Sequence, residues 1–138
     1  MVKLDKNRIL EIITKYDVVI DCTDNFKTRF KVADACQKCK KPYILGTVRA
    51  YEGQVTTIIP STSKIKNPKI RNLFDEENIS NIGDDCSDIG VLSVTTTLVG
   101  TIMASECLKL ILNIDEVLVG KMLMVDLLNL KFETIKYK

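Results

Sequence analysis

The segment from Asp17 to Leu45 most narrows what this chain can fold into. Asp17-Val18-Val19-Ile20-Asp21-Cys22 is a short continuous apolar run bounded by polar residues. That pattern suits a strand buried on both faces of a parallel sheet. Phe26 to Lys40 follows with helical periodicity, its faces dividing at Phe30, Ala33, Cys36 or Gln37, and Lys40, and Pro42 stops it. Tyr43-Ile44-Leu45 then opens a second buried run. Strand, helix, strand is the unit of an α/β fold with a right-handed crossover.

The flanks extend this unit. Asp5 can cap a short helix in which Ile9, Leu10, Ile12 and Ile13 recur at helical spacing, ending near Tyr16. Tyr43 to Arg49 and Gln54 to Ile59 are separated by Ala50-Tyr51-Glu52-Gly53. Gly53 is expected to supply the positive φ of a hairpin turn, so the sheet is expected to become mixed. From Pro60 to about Gly90 regular periodicity dissolves, a length that is usually functional or disordered in a small domain. Val91 through Leu112 reads as a long helix, with Gly100 and Ala104 on one face open to close backbone approach. Lys121 to Leu127 and Lys131 to Tyr137 read as strands.

Composition excludes several classes. The 138 residues suffice for one domain with a core, and 46% hydrophobic with 28% charged residues is a globular balance. A net charge of +2, scattered Lys and Arg, and no Trp give no nucleic-acid footprint. The longest apolar run, near Val91 to Val99, is interrupted by Ser93 and Thr95 to Thr97, so no membrane span is expected. The amino terminus lacks the apolar core of a signal peptide. Five irregularly spaced cysteines argue against a disulfide framework and for a reducing cytoplasm.

Chemistry concentrates in Asp21-Cys22-Thr23-Asp24-Asn25-Phe26-Lys27-Thr28-Arg29, where a strand ends and a helix begins. In open α/β sheets ligands bind at that edge. A carboxylate there can hold magnesium together with substrate phosphates, and the helix amino terminus offers free amides to an anion. Thr23 or Asp24 can equally be an ordinary helix N-cap.

Tyr16-Asp17-Val18-Val19-Ile20-Asp21-Cys22-Thr23-Asp24-Asn25, followed by Arg29, resembles the D-V-V-x-D-x-T-D-N-x-x-x-R segment of the ThiF/MoeB/HesA family. The resemblance continues in order through Pro42 to Gly46, Tyr51 to Thr56, Cys86 to Leu92 and Gly100 to Lys109, and so spans almost the whole chain. It implies a Rossmann-like three-layer α/β fold, incomplete here, whose parallel strands continue into an antiparallel hairpin and carboxyl-terminal strands. It also implies an ATP-dependent adenylyltransferase acting on the carboxyl-terminal glycine of a ubiquitin-fold sulfur carrier of the thiamine or molybdopterin type. Under that resemblance Asp24 contacts magnesium–ATP, with Thr23, Asn25 and Arg29 beside it. The implied partners are a carrier ending in Gly-Gly and a second copy of the chain.

Two parts of the family pattern are missing. Gly46, Gly53, Gly83, Gly90, Gly100 and Gly120 are far apart and form no G-x-G-x-x-G turn, and the ribose-binding and phosphate-binding residues that precede the matching segment in the family are also lacking. Residues 1–138 are therefore expected to be the carboxyl-terminal half of an adenylating domain, with an irregular crossover at about 60–90. Alone, such a chain is expected to be inactive; the alternative is a non-catalytic module that binds the carrier. Many relatives also bind zinc through two C-x-x-C pairs, but Pro68 to Phe74 and Lys131 to Lys138 hold no cysteine, so no zinc is expected.

The remaining thiols divide. Cys36-Gln37-Lys38-Cys39 lies late in a helix rather than at its amino terminus, which favours packing over redox chemistry. Cys86 matches a cysteine that in some relatives joins covalently to the carrier, though Asp84, Asp85 and Asp88 oppose a thiolate there. Cys22 and Cys107, in apolar settings, are expected in the core. Lys38, Lys40 and Lys41 read as a solvated helix end.

Overall fold

The computed structural model describes residues 6–61, 67–75 and 90–137. Helix α1 (Lys6–Ile13) leads to strand β1 (Val19–Asp21), helix α2 (Phe26–Cys39) and strands β2 (Tyr43–Arg49) and β3 (Glu52–Ile58). A 3-10 turn (Ile70–Asn72) precedes helix α3 (Ser93–Ile111) and strands β4 (Lys121–Asp126) and β5 (Lys131–Lys136). The five strands form one sheet in the order β1-β2-β3-β4-β5. Only β1 and β2 run parallel, with Val19 opposite Tyr43; the other pairings are antiparallel. The fold is α/β with a mixed sheet, as the sequence implies.

Two cores form because β2 alternates its side chains between faces. Tyr43 and Leu45 join Ile9, Ile13, Phe30, Cys36 and Ile58 beneath α1 and α2. Ile44 points the other way and joins Val55, Val99 and Met103 beneath α3. This is a helix, sheet, helix sandwich of three layers.

α3 lies directly on the glycines of the hairpin. A Cβ built at Gly46 would collide with the Met103 sulfur and approach Val99 Cγ1 at 3.0 Å, and one at Gly53 would collide with Val99 Cγ2. Gly53 therefore serves packing. The positive φ of the turn falls instead on Ala50, at 47°, since Arg49 pairs with Glu52 and leaves only Ala50 and Tyr51 as the loop. Ala50 is held there from both sides: its N–H donates to the Gly90 carbonyl and its own carbonyl accepts from Thr95 Oγ1 at 2.8 Å.

Glu106, only 1% exposed, fastens α3 to the sheet. Its Oε2 accepts from Thr57 Oγ1 at 2.6 Å and from the Leu118 N–H at 2.7 Å, while Lys109 pairs with Oε1. A buried carboxylate is tolerated only with such partners. The hydroxyls of Thr96, Thr97 and Thr101 donate to carbonyls four residues back. Threonine thereby satisfies itself within the helix rather than interrupting it.

Several expectations need correction. The run read as broken near Ser93 and Thr95 to Thr97 lies in or beside a continuous 19-residue helix that is long and apolar enough, by length and composition, to cross a membrane. Its buried side here is a narrow stripe of Thr95, Val99, Met103 and Glu106, while Val94, Leu108 and Ile111 are exposed. β1 is shorter than expected and not buried on both faces: it is an edge strand in this sheet, and Ile20 is 41% exposed. Cys22 is exposed and not a core residue, whereas Cys107 is half-buried and packs against the core beneath α3. Part of the 60–90 segment is folded, since Ile70 is buried and the Phe74 ring lies 5.0 Å from that of Phe26. Cys36 is buried, and burial pushes its thiol up to about 12, which suits packing. The expected cap Asp5 lies outside the described residues.

Candidate functional site at the carboxyl end of β1

β1 ends at Asp21, which turns towards the same side as Tyr43 and Leu45 and is 3% exposed. Its Oδ1 accepts the Thr23 N–H at 2.8 Å, and its Oδ2 accepts the Tyr43 hydroxyl at 2.5 Å. The first bond closes an Asx turn; the second ties that turn to β2. Burial, then the charge of Asp21 and the hydrogen bond to it, raise the Tyr43 hydroxyl above its ordinary pKa, so it stays a donor.

Arg29 holds the same loop from the helix. It is 8% exposed, and its Nε and Nη2 donate to the Thr23 carbonyl at 3.1 and 2.6 Å. Its guanidinium also stands 4.9 Å from the centre of the Phe26 ring. Both polar groups of Thr23's backbone are thus engaged, one by an anion and one by a cation. The Thr23 hydroxyl is buried without a partner among the described residues.

Asn25, rather than Thr23 or Asp24, is the N-cap of α2: its extended backbone lets Oδ1 accept the Thr28 N–H at 2.8 Å. Asp24 is left free of capping duty and points to solvent, its Oδ1 accepting Asn25 Nδ2 at 3.1 Å. That hydrogen bond, then its own backbone N–H and the charge of Arg29, hold the Asp24 carboxyl below its usual value, so it is a carboxylate at neutral pH. An exposed, ionised carboxylate at the start of a helix suits a hard cation that is also bound by phosphates.

The structure brings Thr23, Asp24, Asn25 and Arg29 together at one junction. Cys86 lies outside the described residues. Asp21 and Tyr43 were missed as partners because they stand 22 residues apart; the parallel register of β1 on β2 carries that signal, not the spacing. Beside the loop, an apolar hollow of about 410 Å³ runs along the free edge of β1 past Ile12, Ile13, Val19, Ile20 and Cys22. Among the described residues, no three His, Cys, Asp or Glu side chains converge as a metal cage. A single carboxylate is what magnesium bound chiefly through phosphates and water requires.

The ThiF family pattern matches residues 2–138. The chain belongs to the ThiF family. It is 37% identical over 136 residues to a SAMP-activating enzyme E1 of Haloferax volcanii, covering 99% of this chain and 48% of that protein. A sulfur carrier protein adenylyltransferase of Thermus thermophilus is 35% identical over 135 residues, covering 97% and 50%. Among solved structures, E. coli MccB with ATP superposes with a TM-score of 0.74 at 17% identity, covering 99% of this ThiF-family chain and 41% of MccB. That likeness supports the three-layer fold. The chain spans about half the length of these curated relatives.

Proposed function

We propose that this ThiF-family chain is the magnesium-proximal and carrier-binding half of an adenylyltransferase that activates the carboxyl-terminal glycine of a ubiquitin-fold sulfur carrier ending in Gly-Gly. The observation that carries this reading is Asp24, an ionised and exposed carboxylate on a clamped loop at the carboxyl end of β1. Names of relatives as distant as a haloarchaeon and Thermus point to the same class of substrate.

In this reading Asp24 would hold magnesium, which would supply neutralisation of negative charge at the ATP phosphates while the carrier carboxylate displaces pyrophosphate. Thr23 and Asn25 shape the loop that presents Asp24. The glycine-rich and phosphate-binding residues come from outside these residues, and the chain alone does not form acyl-adenylate at a useful rate. Residues 1–138 form one unit, with the sheet and the 60–90 segment seating the carrier. Cys86 is the candidate for a covalent link to it. The protein works in the cytoplasm without zinc, nucleic acid or a membrane; we read α3 as a sheet-packing helix because its charged Glu106 is engaged by Thr57 and Leu118. A second copy packs against the exposed α3 face around Gly100 and Ala104, where nothing lies within 4 Å of a Cβ at Gly100.

Calorimetric titration with the carrier and, separately, with magnesium–ATP tests this. Carrier binding without ATP binding is expected. ATP binding that Asp24→Ala abolishes would show a complete nucleotide site in this chain and overturn the inactivity. Absence of carrier binding would remove the carrier-binding role.

A further inference from the structure

Arg29 stands in the segment the family resemblance places beside the nucleotide, and a cation there invites the role of phosphate ligand. The geometry points elsewhere. Two of its donors, in the planar fork that only arginine offers, converge on the Thr23 carbonyl at 3.1 and 2.6 Å. The guanidinium is also stacked over Phe26 and almost fully buried. A side chain so engaged is part of the scaffold of the loop. On the other side of the Thr23 Cα, in the preceding peptide, Asp21 holds the Thr23 N–H, and Tyr43 in turn holds Asp21.

We infer that Asp21, Tyr43 and Arg29 form a positioning clamp that fixes the Thr23 backbone and so aims the Asp24 carboxylate, with Arg29 acting through the peptide and not on phosphate. This rests on the proposed role of Asp24 as magnesium ligand. The clamp crosses the sheet from β2 to β1 and reaches α2, so the loop is tied to three elements of both sequence and fold. Among the described residues Asp24 has one side-chain hydrogen-bond partner, Asn25, and its placement depends on the residue before it. Two consecutive peptides, each held at one polar group, fix the backbone angles of Thr23; with either hold lost, the freed peptide can turn and carry Asp24 with it.

The test uses the full-length protein that contains this chain, assayed by ATP–pyrophosphate exchange in the presence of carrier, with two variants. Tyr43→Phe removes one hydroxyl and keeps the ring in its core. It is expected to raise the half-saturating magnesium concentration roughly tenfold, the scale of one lost hydrogen bond to a charged group, with KM for carrier unchanged. Arg29→Lys keeps the charge but not the fork, and is expected to lower kcat with KM for ATP unchanged. A raised KM for ATP in Arg29→Lys would mark a phosphate ligand and overturn the inference, as would an unaltered magnesium dependence in Tyr43→Phe. Amide hydrogen exchange at Thr23 reads the clamp without reference to activity. Faster exchange in both variants is expected, and unchanged exchange overturns the clamp. Wild-type protein that shows no exchange activity would sink the proposed function instead, and Thr23 exchange would still decide the clamp.

Discussion

Replacing Glu106 by alanine tests how α3 is joined to the sheet. The wild-type carboxylate is 1% exposed and takes hydrogen bonds from Thr57 Oγ1 and the Leu118 N–H, with Lys109 alongside. Truncation strands two donors. Thr57 is fully buried, so its hydroxyl finds no water, and the Leu118 amide is left without its partner. A buried group deprived of its partner costs about 1–3 kcal/mol, and the vacated side-chain volume adds to this. Lys109 is partly exposed and donates to the Glu116 carbonyl at 2.6 Å, so its charge is resolvated at little cost. The expected loss is about 3–5 kcal/mol, the range for breaking a buried charged pair. That is a large share of the ~5–15 kcal/mol typical of a whole domain. Urea unfolding followed by far-UV circular dichroism measures it, with the slope m held as a check on two-state behaviour. Lys109→Met in parallel should cost less, about 1–3 kcal/mol, because Thr57 and Leu118 still satisfy the buried carboxylate. A Glu106→Ala variant within 1 kcal/mol of wild type would refute the view that this carboxylate joins the two layers.

Other outcomes follow from the same contacts. Gly53→Ala drives a methyl into Val99 and should destabilise by about 1–3 kcal/mol, whereas Gly100→Ala meets open space on a helix and should stabilise by about 0.5–1 kcal/mol; paired thermal melts decide both. Asp24 is expected to titrate below the usual carboxylate value, as read by carboxyl carbon NMR. Because its folded-state pKa is depressed, its favourable contribution is present above the unfolded pKa and fades as pH falls through the folded one; Asn25→Ala, which removes the first cause, should move the midpoint up. Among the described cysteines, Cys22 should react first with a thiol reagent and Cys36 last, since the former is exposed and the latter's thiol is pushed up to about 12 by burial; mass spectrometry of partially alkylated protein reads the order.

The parts legible in the sequence were those set by local pattern. The apolar run before Asp21, the periodicity from Phe26 and the stop at Pro42 announce β1, α2 and β2. The junction at Thr23 to Arg29 was legible because strand end and helix start are adjacent in the chain. What sequence reading missed depends on neighbours distant in sequence. Gly53 resembles a turn glycine until α3 is laid across it, and Ala50 takes the positive φ because Gly90 and Thr95 hold it there. The threonines of α3 look like breakers to a hydropathy reading, yet they bond back to their own helix. Glu106 carries no local signal of burial in the sequence, and it is the approach of Thr57 and Leu118 that encloses it. Asn25 was named for its place beside a ligand, and in the structure it caps α2.

The alternation along β2 has a consequence for how the molecule can come apart. Neighbouring residues of this one strand, Tyr43, Ile44 and Leu45, are shared between opposite cores. A slip of one residue would turn Ile44 towards α2 and Tyr43 towards α3 together, inverting both interiors in a single step. Neither helical layer can then be peeled off while the other keeps its register. The sandwich behaves as a single cooperative block, and its last amides to exchange with solvent belong to the strand that both layers grip.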